Sequence, residues 1–326
     1  MVLVETSARA SVTPGGWLGI RLALAILIAL SLGATAIDVK ASDHLASTPA
    51  SAVPPASDTV APPVPVTAPP PPAPRSADAL AASVAQIVAA SGATVGVDLA
   101  ELGGLQPLSW SFDAGTIFDA ASTYKLAALM MEAQGLAAGT VDPNGLVYFT
   151  AADYEDGYFD DYVVGQGYSR SLLAYRAAHY SDNTAGHMLV RDVGGSVAVN
   201  AWAATLGATS SSFFAGNTTT AADLSALWVA EANGRLGGAA AQGWLYPLLT
   251  GTLYEAGIRA GTPGVTVVHK TGALDLTEND TALVLGLPSG PYVLTVMTDG
   301  LGETSGPELI ALIASAANGF EVARSG

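Results

Sequence analysis

Only three lysines occur in this chain of 326 residues, and two of them stand in reactive company. Lys125 closes Ser122-Thr123-Tyr124-Lys125, and Lys270 opens Lys270-Thr271-Gly272, with Ser181-Asp182-Asn183 between them. A serine hydroxyl is a weak nucleophile until a base takes its proton. A lysine amine can be that base when burial and nearby positive charge lower its pKa. Ser122 and Lys125 are three residues apart, so on a helix they share a face. Ser122 also precedes an apolar run, 126–131, which predicts a helix amino terminus where backbone N–H groups and the dipole favour negative charge.

Each motif taken singly has a plain structural reading: an N-cap serine, a capping Asp182, a solvated lysine at a strand end. Their order, the 59 residues from Ser122 to Ser181 and the scarcity of lysine make the functional reading the stronger one. In that reading Ser122 attacks a carbonyl and Lys125 is the general base. Ser181 relays the proton to a leaving group, and Asn183 hydrogen-bonds a substrate amide. Lys270 supplies positive potential, and Thr271 offers a hydroxyl to a substrate carboxylate. Gly272 permits close backbone approach, and the N–H groups of Ser122 and Ala273 form an oxyanion hole.

The elements that must position these residues are legible as patterns. Apolar spacing predicts a helix over 77–90. Strands are expected over 94–99 and 108–112, joined around Gly103-Gly104. A mostly helical stretch follows, about 122–257. Three more strands are expected over 265–269, 282–287 and 292–298, the last two joined through Pro288-Ser289-Gly290. A helix over 307–320 closes the chain. Helices packing on a sheet, with a helical insertion between its second and third strands, is an α+β arrangement.

Composition bounds the rest. The chain has no cysteine, which excludes disulfides, thiolate zinc sites and a cysteine nucleophile. The four histidines lack metal-ligand spacing, and no metal or cofactor is expected. Formal charge is −16, and all of the excess lies in 76–326, with 24 acidic and 8 basic residues. Such a surface repels nucleic acid and anionic lipid. Residues 22–37 are an apolar run of 16 ending near Ala34-Thr35-Ala36, a small-x-small pattern. We expect 1–37 to be a signal peptide or a membrane anchor, with a possible tether through 17–37. Eleven of the 19 prolines fall between Pro49 and Pro74, so 38–75 reads as an extended linker. The folded domain is expected over 76–326.

The three motifs in this order resemble the signature of penicillin-recognising serine enzymes. Over about 76–326 the chain resembles the class A β-lactamase superfamily, related to penicillin-binding proteins. Thr184-Ala185 after the second motif, Asn217-Thr218-Thr219-Thr220-Ala221-Ala222 and Glu278-Asn279-Asp280-Thr281-Ala282 extend the resemblance. It implies a five-stranded antiparallel sheet flanked by helices, plus an all-helical lobe. It also implies an exported serine hydrolase that acts through an acyl-enzyme on Ser122. The substrates would be β-lactams or related cell-wall peptides or esters, which includes D,D-peptidase or esterase activity. The alternative is an envelope-tethered binding or sensor module that keeps the acylation site without turnover.

The sequence departs from the family at the Ω loop. Class A enzymes carry E-x-x-L-N there, and its glutamate activates the deacylating water. Here no acid lies between Asp192 and Asp223. Asp223 falls beyond the loop on an expected helix, so slow β-lactam deacylation is expected. No arginine is clearly placed for a substrate carboxylate, Arg259 being the nearest in sequence. The acidic, aromatic segment 153–161 is expected as a solvated loop at the cleft entrance, where Tyr154 or Tyr158 could touch substrate.

Overall fold

The computed structural model describes residues 76–104 and 107–324. The expected signal or anchor and the linker lie outside the described residues. Among the described residues no helix is long and apolar enough to cross a membrane.

Helix α1 (Asp78–Ser91) leads into strands β1 (Thr94–Glu101) and β2 (Ser109–Phe112). After a two-residue strand β3 (Phe118–Asp119) comes a 3-10 turn, Ala121–Thr123, that runs into helix α2 (Tyr124–Ala137). A ribbon of β4 (Leu146–Tyr148) and β5 (Gly167–Ser169) follows, then helices α3 (Arg170–His179), α4 (Asn183–Asp192) and α5 (Gly195–Thr205). Strand β6 (Thr218–Thr219) pairs back with β3. Helices α6 (Ala221–Ala232), α7 (Ala239–Leu248) and α8 (Ile258–Gly261) precede strands β7 (Thr266–Leu274), β8 (Thr277–Leu285) and β9 (Tyr292–Asp299). Helix α9 (Gly302–Arg324) ends the chain.

The sheet is antiparallel and five-stranded, in the order β2-β1-β9-β8-β7. Alternation along each strand sends successive side chains to opposite faces. One face carries Val97, Leu99, Ala282, Val284, Leu294 and Val296 into a core with α1, α8 and α9. The other carries Val268, Leu283, Val293 and Met297 into the core of the insertion. Helix α6 lies on this second face, where the Ser225 hydroxyl meets the Thr295 hydroxyl at 2.9 Å. The insertion is mainly helical, with the β4–β5 and β3–β6 ribbons that an all-helical lobe would lack. These strands are two or three residues long, too short for a period-two pattern to show.

Two expected strands are longer than their apolar patterns. β7 continues through the third motif to Leu274, so Lys270-Thr271-Gly272 is inside the strand rather than at its end. β8 begins at Thr277 instead of residue 282. Its first five residues, Thr277-Glu278-Asn279-Asp280-Thr281, are polar yet buried, because they pair with β7 and β9 beside a cleft.

Candidate active site

A cleft of about 620 Å³ runs along the free edge of β7. Ser122, Ser181, Asn183, Thr271, Gly272 and Ala273 all line it. The three motifs, distant in sequence, therefore meet.

The turn that carries Ser122 is held by its neighbours. Ala121 has φ 45°, a left-handed conformation that costs a residue with a Cβ. The Asp119 carboxylate compensates by accepting from the Ala121 N–H at 2.7 Å. The Asn217 carbonyl accepts from the Ala120 N–H at 2.7 Å, and the Asn217 amide donates to the Ala121 carbonyl at 3.2 Å. From β8, the Asn279 amide donates to the Asp119 carbonyl at 2.9 Å. Gly272 approaches from β7. A Cβ there would stand 2.8 Å from the Ala120 carbonyl oxygen and 3.0 Å from the Ser122 and Thr123 nitrogens. Only glycine allows that approach.

Lys125 is 1 % exposed, and its Nζ has three partners. It lies 2.8 Å from Ser122 Oγ, 2.6 Å from the Ser181 carbonyl oxygen and 2.7 Å from Asn183 Oδ1. The Asn183 amide nitrogen donates to the Asp156 carbonyl at 2.7 Å, which orients Oδ1 toward the lysine. Two of the three partners of Nζ can only accept. A neutral amine satisfies them with its two N–H bonds and leaves its lone pair for the Ser122 hydroxyl. Burial pulls the Lys125 pKa down to about 7, against the pull of Asp182 and Glu155.

Lys270 is 2 % exposed. Its Nζ donates to Ser181 Oγ at 2.9 Å and to the Thr271 carbonyl at 2.8 Å. Burial, then the charge of Lys125, push its pKa well below the usual lysine range. Ser181 thus offers its carbonyl to one lysine and its hydroxyl to the other, and its backbone has φ 57°. Asp182 caps α4, accepting from the Ala185 N–H at 2.8 Å. It is fully buried and also accepts from the Tyr162 hydroxyl at 2.7 Å and the Phe159 N–H at 2.9 Å.

Segment 153–161 is tied down instead of merely solvated. Asp153 pairs with Arg191 at 2.7 Å, and Asp161 pairs with Arg176 through two bonds of 2.6 and 2.7 Å. Tyr158 lines the cleft, whereas Tyr154 is exposed outside the lining. Its acidic composition hid the fact that its backbone supports the second motif. Asp223 is committed elsewhere. Its carboxylate accepts from the Ser210 N–H and the Ser211 hydroxyl at 2.8 and 2.7 Å, pinning the short loop that precedes β6.

Several lining residues had no site role in the sequence reading: Tyr180, Tyr254, Glu255, Glu278, Asp280 and Glu303. Two of them hold His269, which donates to Asp280 at 2.9 Å and to Glu255 at 3.2 Å. Burial opposes charge on His269, but Asp280 and Glu255 outweigh it and push the pKa up to about 9. Arg259 lies 3.8 Å from Glu255 and is absent from the cleft wall. The alternation of acids along 277–281, with period two, was the available signal. A strand read only from apolar residues misses it.

A family model described as Beta-lactamase enzyme family matches residues 79–320. No curated protein matches the chain in sequence. Among solved structures, one of PBP-A is 21% identical with a TM-score of 0.69, covering 76% of this chain and 97% of its own. A point mutant of PBP-A, solved as an acyl-enzyme complex with penicillin G, is 21% identical with a TM-score of 0.68, covering 76% and 98%. A beta-lactamase from Sphaerobacter thermophilus DSM 20745 is 27% identical with a TM-score of 0.65, covering 74% and 96%.

Proposed function

Since the chain belongs to the beta-lactamase enzyme family, we propose that it is an exported serine hydrolase that forms an acyl-enzyme on Ser122 and releases β-lactam acyl groups slowly. The observation that carries this reading is the 2.8 Å contact between Ser122 Oγ and a Lys125 amine whose other two partners are obligate acceptors.

The Lys125 lone pair takes the Ser122 proton as Oγ bonds to the substrate carbonyl carbon. The carbonyl oxygen gains the electron pair and is held by the N–H groups of Ser122 and Ala273. The oxyanion then collapses and the bond to the leaving nitrogen or oxygen breaks; Ser181 gives its hydroxyl proton to that atom and regains one from Lys125, which returns to the neutral amine. Lys270 and Thr271 hold the far side of the substrate, and Asn183 positions both Lys125 and the acyl group. Deacylation repeats the steps with water. The short loop at 210–217 brings no carboxylate to the cleft, and Asp223 is committed to holding that loop. Water activation then falls to Lys125 and Ser181, which supports slow release. The penicillin G acyl-enzyme of the PBP-A mutant supports the same reading. The natural substrate class in this reading is a cell-wall peptide or a small ester, met outside the cytoplasm after the leader at 1–37 has directed export.

Intact-protein mass spectrometry with a penicillin tests the proposal. A long-lived adduct, missing from Ser122→Ala, is the expected outcome. Rapid loss of penicillin without an adduct would refute slow deacylation. Absence of any labelling by penicillins, esters or peptides would sink the acyl-enzyme reading.

A further inference from the structure

We propose that the cleft selects substrates bearing an alkylammonium group, which the Glu278 carboxylate binds beyond the reacting carbonyl. The inference rests on the acyl-transfer reading of Ser122 and adds the chemical class of the substrate. Glu278 is 6 % exposed and lines the cleft, and its carboxylate has neither hydrogen bond nor ion pair from any described residue. Its neighbours are committed: Asp280 to His269 and the Ile258 N–H, Glu255 to His269 and Thr252. Most of the Glu278 side chain is buried, and its oxygens face the cleft without a partner among the described residues. A carboxylate that borders an open cleft is available to a cation from outside.

Position supports this. Gly272 faces the nucleophile turn, so strand alternation turns Thr271 and Ala273 to the opposite face, together with their cross-strand partners Asp280 and Glu278. Glu278 stands opposite Ala273, the expected oxyanion donor, across one strand spacing of about 4.8 Å. A substrate carbonyl at the Ala273 N–H therefore places a side group within reach of Glu278. Helix α9 fixes the carboxylate from behind. A Cβ on Gly306 would stand 2.5 Å from Glu278 Cγ, so glycine there lets the stem pack closely. Glu303, in the first turn of α9, adds a second negative charge to the cleft wall. Tyr158 and Tyr254 add aromatic rings, which attract cations through their faces. Among the described residues no arginine lines this cleft. Burial, then Glu303, raise the Glu278 pKa to about 7, the strain that a bound ammonium would relieve.

Matched p-nitrophenyl esters of 6-aminohexanoic acid, hexanoic acid and adipic acid (as the monoester) test the proposal on the full chain. The rate of Ser122 acylation is expected to be at least tenfold higher for the amino ester than for the hexanoyl ester, with the adipoyl ester slowest. Glu278→Gln should bring the amino-to-hexanoyl ratio close to one, and Glu303→Gln should lower it less. Equal rates in the wild type, or an unchanged ratio in both variants, would overturn the proposal. If Glu278→Gln does not fold, the surface variant Glu303→Gln decides. Calorimetric titration of Ser122→Ala with 6-aminohexanamide and hexanamide separates this proposal from the acyl-enzyme reading. Preferential binding of the amine by a protein that no ester acylates would keep the cation site and sink the chemistry. Acylation at equal rates, with no preferential amine binding, would do the reverse.

Discussion

On the side of β7 that faces the helical insertion, two buried lysines have hydroxyl, carbonyl and amide oxygens arranged around them. On the side that faces α9, a buried carboxylate has no such partner. The first arrangement suits the proposed chemistry: burial lowers the Lys125 pKa to about 7, and once neutral the amine can keep its N–H bonds to the Ser181 carbonyl and Asn183 Oδ1 and turn its lone pair to Ser122. The second leaves a carboxylate facing open space. On that same side, His269 shows the ordinary structural solution, a charged ring paired with two carboxylates. All four residues are buried, and they differ in what surrounds them. Partner geometry, rather than burial alone, separates the proposed base, the brace and the proposed binding group.

Lys125→Met should break the reactive side most severely. Loss of general-base catalysis is expected to slow acylation by about 10³-fold, measured by the rate of penicillin adduct formation. A loss below tenfold would remove Lys125 from the mechanism. In the unaltered protein, the same rate should rise about tenfold per pH unit below pH 7 and level off above it, because only the neutral amine accepts the proton. A flat profile between pH 5 and 7 would mean that Lys125 does not titrate where its burial places it.

Gly272→Ala tests whether the glycine is there for approach. Its Cβ would meet the Ala120 carbonyl and the Ser122 nitrogen, so the nucleophile turn must move. Acylation should fall by about 10²-fold, as expected for a misplacement of the order of 1 Å, while the protein still melts cooperatively. Unchanged acylation would show that β7 yields freely.

His269→Gln sharpens the contrast with Glu278. The folded pKa of His269 is raised from 6.5 to about 9, so its contribution is fully present below pH 6.5 and is lost as pH rises through 9. Wild type minus variant stability, from urea unfolding, should be on the order of 2–3 kcal/mol at pH 6 and shrink toward pH 9. A difference that is constant with pH would mean that the ring is neutral.

Asp161→Asn should have the smallest effect. Arg176 lowers the Asp161 pKa by hydrogen bonding, yet the carboxylate is mostly exposed, so solvent screens the pair. The expected loss is about 0.5 kcal/mol or less, read from the urea midpoint. A larger loss would show that segment 153–161 anchors the second motif more strongly than its surface position suggests.

The reactive side of the cleft was legible in the chain itself. Reactive residue types beside rare lysines, in a fixed order, carry their chemistry in their identity, and Ser122, Lys125, Ser181 and Lys270 do come together around one cleft. The sheet strands were legible where their residues are apolar, because alternation follows from the two-residue period of a strand. The start of β8 was not, since Glu278, Asn279 and Asp280 are polar residues buried by pairing and by the cleft rather than by their own hydrophobicity. The candidate nucleophile and its candidate base could be read from residue type and local spacing, and the missing loop acid from the family resemblance. Which carboxylates are paired, and which one is left open, could not. Pairing depends on the register between β7 and β8 and on the approach of α9, and a linear pattern specifies neither.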